Sequence, residues 1–99
     1  MVQYRPLVLS PMLHPIPEHY LDLLPRYNGK REITAQQYLD SFHEYMESLH
    51  VQFEDVYMRL FVQSLVGEPK RSFQRLPASS IYSWEMLEDR FYMTWGGNK

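Results

Sequence analysis

The chain has 99 residues, 44% hydrophobic and 22% charged, a formal net charge of −2 and no cysteine. That balance suits one globular domain and excludes an intrinsically disordered chain, a disulfide scaffold and a thiolate metal site. It also argues against a stand-alone nucleic-acid binder, which needs surplus Lys and Arg to displace counterions from phosphate, and no stretch approaches the roughly 20 apolar residues of a membrane span; a soluble, intracellular, cytoplasmic protein without direct nucleic-acid or membrane contact is expected.

Residues 1–25 carry Pro6, Pro11, Pro15, Pro17 and Pro25 and show no helical period. Proline fixes φ and pushes the preceding residue toward extended geometry, so this segment reads as an extended, Pro-rich arm in which Leu7, Val8, Leu9, Met12, Leu13 and Ile16 need a groove to lie in. Residues 20–24 suggest a short turn, and Asn28-Gly29 signals a tight one. Residues 26–99 read as a helical lobe.

Within that lobe, Thr34 with Gln37 three residues on forms a capping box, and Tyr38, Leu39, Phe42, Tyr45, Met46 and Leu49 recur at helical steps, which predicts a helix over 34–50. A second helix is predicted over 55–66, opened by Glu54 or Asp55 and stopped by Gly67 as a left-handed cap. It is apolar nearly all round and so should be central. Pro69 suits the first position of a third helix, 69–76, in which Phe73 and Leu76 face inward and Lys70, Arg71 and Arg75 form a basic patch before Pro77 stops it. Ser80 or Ser83 can cap a fourth, 83–95, whose Trp84, Leu87, Phe91 and Trp95 make a packing stripe. The fold expected is all-α, a small bundle-like lobe of four helices preceded by the arm.

Chemistry is sparse. His43 and His50 are seven apart, too far along one helix for the i, i+4 zinc arrangement, and His14 and His19 read as surface residues of the arm. Ser79-Ser80 lacks the glycine context of a nucleophile elbow, Glu44 with Glu47 reads as a solvated pair, and Gly96-Gly97 follows a helix instead of opening one, the wrong order for a phosphate site. No catalytic, metal or cofactor site is expected, and no cofactor. The unusual feature is the separation of charge: Asp40, Glu44, Glu47, Glu54 and Asp55 gather on the first helix and its exit, Lys70, Arg71 and Arg75 on the third. Two solvated faces would account for it, and so would a head-to-tail contact in which the acidic face of one copy meets the basic face of the next; the candidate self-association residues are Asp40, Glu44, Glu47, Lys70, Arg71 and Arg75.

The string Leu24-Pro25-Arg26-Tyr27-Asn28-Gly29, then Tyr38-Leu39 and Phe42, then Leu65 and Gly67, Phe73, Leu76-Pro77, Ile81, Trp84, Leu87, Phe91 and Trp95, resembles the Gag-like domain of gypsy-type long-terminal-repeat retrotransposons, particularly the plant members. It covers about three quarters of the chain. Pro69 and Ser72 depart from the pattern, Ser72 standing where an aromatic usually precedes Phe73, which thins the core there. The resemblance implies an amino-terminal capsid lobe, a structural Gag domain that contributes to capsid-like self-assembly with other copies of itself or full-length Gag. It implies as the alternative a domesticated, host-adopted adaptor module that holds an extended peptide in a hydrophobic groove on the helical lobe.

Overall fold

The computed structural model describes residues 4–9, 14–16, 24–30 and 32–96. Met12, Leu13, His19, most of the turn expected at 20–24 and Gly97 lie outside them. Among the described residues the protein is all-helical, with four helices in the order α1 (Ala35–Ser48), α2 (Glu54–Ser64), α3 (Gly67–Gln74) and α4 (Trp84–Trp95). None is long and apolar enough to cross a membrane.

α1 starts where the capping box places it. The Thr34 hydroxyl accepts from the Gln37 N–H at 3.0 Å and the Gln37 side chain accepts from the Thr34 N–H at 2.9 Å. Tyr38, Leu39, Phe42 and Met46 are its buried face. Its end falls two residues short of the expected boundary, because Val51 donates to the Met46 carbonyl and His50 to that of Glu47. This is a Schellman closure, in which the residue just past the helix takes a left-handed conformation. That residue is His50, with φ 56°.

α2 is central, as its lack of a polar face requires: Val56, Met58, Leu60, Phe61 and Val62 are all buried. It ends at Ser64 instead of 66, since Leu65 and Val66 are drawn into extended pairing with Tyr27. The Tyr27 N–H donates to Ser64 O and the Val66 N–H to Tyr27 O, each at 3.0 Å. Gly67 therefore opens α3 and does not cap α2. Its φ of +61° reverses the chain after extended Val66, while a Cβ there would meet nothing within 4 Å, so the demand for glycine is purely one of backbone geometry. Pro69 falls third in α3 and not first, still within the opening turn, where its missing N–H has no intrahelical partner to lose. Ser83, not Ser80, caps α4 and accepts from the Met86 N–H at 3.2 Å.

The core is aromatic. Phe61 meets Phe42, Trp84 and Phe91 edge-on at centroid distances of 5.2, 5.2 and 5.1 Å, the orientation that sets a positive ring edge against a negative face. Tyr38 sits among Tyr27, Phe42, Phe61 and Phe91. Its hydroxyl hydrogen-bonds to the Ser64 hydroxyl, which donates to Phe61 O at 2.6 Å. Burial pushes the Tyr38 phenol well above its ordinary pKa, so it stays a neutral donor. Leu7 and Leu24, from the stretch read as an arm, are buried in the same cluster.

Gly29 closes the turn before α1. Its φ is +79°, and a Cβ there would lie 2.9 Å from the Trp95 ring and 3.1 Å from Pro69 Cγ. Gly29→Ala is expected to destabilise the fold by at least about 2 kcal/mol, from left-handed strain plus the clash. His50→Gly, at a position that needs the left-handed conformation but has no other demand for imidazole, is expected to stabilise it by about 1 kcal/mol. Thermal unfolding of the two variants reads both.

Candidate functional site

A groove of about 60 Å³ runs between α3 and α4 with α2 beneath it. Pro69, Ser72, Phe73 and Leu76 line it from α3 and the loop that follows, Leu87, Arg90, Phe91, Thr94 and Trp95 from α4, and Phe61 and Leu65 form its floor. The sequence pattern quoted above converges here, since Leu65, Phe73, Leu76, Leu87, Phe91 and Trp95 all contribute. So do both positions of departure: Pro69 lines the groove, and the small Ser72 leaves space that an aromatic side chain would fill. Leu87 and Phe91 are buried, whereas Trp95 and Leu76 are only half-buried and keep one side open. The remaining pattern residues serve elsewhere. Ile81 is fully buried, Trp84 packs against Phe42, Tyr57 and Phe61, Gly67 reverses the chain, and Pro77 is exposed in the loop after α3.

Asp40, Glu44 and Glu47 on α1 and Lys70, Arg71 and Arg75 on α3 are all exposed, and among the described residues no ion pair joins the two groups. Glu68 pairs with Arg71 at 3.0 Å and with Arg75 at 3.4 Å. The hydrogen bond from Arg71, reinforced by the charges of both arginines, holds the Glu68 carboxyl below the usual carboxylate range. The face thus keeps a positive balance, with Lys70 outside these ion pairs. Of Glu54 and Asp55, expected to extend the acidic face, Glu54 is exposed and Asp55 is not. The Glu54 carboxylate accepts the Trp84 N–H at 2.8 Å, capping α4 from a neighbouring element, and Asp55 is buried at 8% exposure.

Asp55 belongs to a cluster that the pattern of the sequence conceals. Arg59, also buried, donates to its Oδ2 at 2.9 Å, as does the His14 N–H, and His14 Nδ1 lies 2.5 Å from Oδ1. The Arg59 guanidinium also reaches the His14 carbonyl. The imidazole stacks on Phe53 with centroids 3.7 Å apart and planes 3° from parallel. His14 is therefore an anchored residue, not a free surface one. Burial alone would raise the Asp55 carboxyl, but the two His14 bonds and the Arg59 guanidinium together hold it below the usual range. The i, i+4 spacing of Asp55 and Arg59 is visible in the sequence; their burial depends on a partner forty-one positions away.

His43 is also engaged. Its Nε2 donates to Glu88 at 3.3 Å, which in the neutral ring leaves Nδ1 to accept the Tyr57 hydroxyl at 2.5 Å. Burial, with the charges of Glu47 and Glu88 adding to it, pushes the Tyr57 phenol up to about 12. This set ties α1, α2 and α4 together. His50 stands apart at the end of α1, and among the described residues no group of three or more His, Cys, Asp or Glu is placed to hold a metal ion. No family model, curated protein or solved structure matches this chain.

A carboxylate held below its unfolded pKa contributes stability that is present above about pH 4 and is lost as pH falls through the folded value. Asp55→Asn is expected to cost about 2 kcal/mol at neutral pH and to flatten the acid limb of the stability curve below about pH 4. Urea titrations at several pH values check both effects, and a parallel offset with an unchanged acid limb would be the contrary result.

Proposed function

We propose that this chain is a structural, non-catalytic lobe of the retrotransposon Gag type, contributing to capsid-like assembly by contacts between copies. The observation that carries this reading is the one-sided charge of two exposed helix faces. α1 holds Asp40, Glu44 and Glu47 and no Lys or Arg, whereas α3 holds Lys70 and Arg71, with Arg75 at its carboxyl cap, against Glu68 alone. Exposed pairs of this kind are worth little singly, and repetition around a closed or extended array turns them into an assembly force. The resemblance described above supports the same reading.

Lys70 gives the cleanest probe, because reversing it leaves the Glu68 network intact. Lys70→Glu should weaken self-association about fivefold at low salt, the equivalent of about 1 kcal/mol, with the difference fading as salt screens the contact. Adding Glu44→Lys to the same chain should restore part of it. Sedimentation equilibrium at two ionic strengths reads the effect, and identical association of the two proteins at low salt would remove the contact.

The groove favours a second reading, an adaptor module that holds an extended peptide. It is apolar, open on one side and carries one charged lining residue, Arg90. Ser72→Trp, which fills the groove from α3, should abolish peptide capture without loss of helicity. Unchanged affinity for a panel of apolar peptides in that variant would exclude the groove as their site.

A further inference from the structure

The segment before α1 is held by the lobe as a ligand would be. Ser79 turns the loop after α3 with φ 55° and donates its N–H to Arg5 O. The Ser80 and Ile81 N–H groups both donate to Pro6 O, and Val8 N–H donates to Ile81 O, all at 2.8–2.9 Å. Leu7 and Ile81 form a parallel bridge, with both side chains buried at 6% and 0% exposure. Further along, His14 is gripped by Asp55 and Arg59. The receptor is thus a short edge of backbone, an apolar socket and a charged clamp, the elements by which an extended peptide is added to a fold.

We infer that this receptor takes the corresponding segment of a second copy, so that the contacts made by residues 4–9 and 14–16 are exchanged between neighbouring chains. The inference rests on the self-association reading but not on the α1–α3 charge contact. None of the contacts depends on which chain supplies the segment, and exchanging an identical element makes the same bonds at little net cost. The connection suffices: residues 17–23 can span up to about 25 Å at ~3.3–3.6 Å per residue, against a shortest molecular extent of 24 Å.

The chain lacks cysteine, so a disulfide can report the exchange without background. In a parallel ladder Val8 stands beside Tyr82, one step on from the Leu7–Ile81 bridge, at a strand spacing of about 5 Å that a disulfide can bridge. Both side chains are exposed, at 41% and 62%, so Val8→Cys and Tyr82→Cys leave the core alone. Mixed single variants, equilibrated and then oxidised, should give covalent heterodimer well in excess of either homodimer. Adding Leu7→Asp to the Val8→Cys chain, which forces a carboxylate into the apolar socket, should cut that yield at least about fivefold. Lys70→Glu in both chains should leave the heterodimer in place, which separates failure of the charge contact from failure of the exchange. The inference is overturned if the double variant Val8→Cys/Tyr82→Cys closes an internal disulfide while the mixed single variants give no excess heterodimer. It is equally overturned if the double variant closes none, since the docked register is then wrong.

Discussion

The structure depends on the enclosure of α2. With Val56, Met58, Leu60, Phe61 and Val62 buried on successive turns, this helix has almost no face to give to water, and each large side chain left exposed would forfeit roughly 1.5–3 kcal/mol. One neighbouring helix cannot cover it. α1 and α4 take two sides through Tyr38, Phe42, Leu87 and Phe91, and the stretch from Leu24 to Tyr27 closes over its end. The aromatic rings meet edge-on around Phe61, which lets several bulky groups converge on one point without stacking apart.

Enclosing a helix on every side also encloses polar groups, and each must find a partner inside. At the carboxyl end of α2, Ser64 lies between the Tyr38 hydroxyl and the Phe61 carbonyl. At the amino end, Asp55 and Arg59 satisfy each other and use the main chain and imidazole of His14 for what remains. Among the described residues no buried side-chain nitrogen or oxygen lacks a partner. The cover over Asp55 and Arg59 comes from the segment before α1, so the integrity of the core and the attachment of that segment are one problem.

This arrangement divides the surface by role. The aromatic interior is committed to packing, and the described histidines have structural places: His43 links α1, α2 and α4, His14 anchors the leading segment, and His50 makes the closing turn of α1. Two faces differ in charge, the α3–α4 groove stays open where the small Ser72 leaves room, and a loop edge at 79–81 receives extended backbone. The acidic face lies on α1 and the receiving edge on the loop between α3 and α4, while α3 carries exposed basic residues as well as one wall of the groove.

Helix identity and the central place of α2 were legible in the sequence because both depend on local spacing: the Thr34–Gln37 box, the steps from Tyr38 to Met46, the largely apolar stretch from Val56 to Val62 and the serine before Trp84. Boundaries shifted where a distant partner intervened. Pairing with Tyr27 ended α2 early, and Gly67 became the start of α3, because backbone groups of Leu65 and Val66 were worth more in that pairing than in another helical turn. The groove was only partly legible, since Ser72 could be seen to be small but not to face α4. His14 was read as a surface ring and Asp55 as a helix-opening charge of the acidic group, Arg59 drew no reading, and periodicity says nothing of a partner that arrives from another segment. Short-range propensity and hydrophobic period determined which residues form helices and which faces turn inward. Which polar groups are buried, which charges are already paired and where space is left were decided only by tertiary packing, because those properties depend on the whole set of neighbours at a point in space.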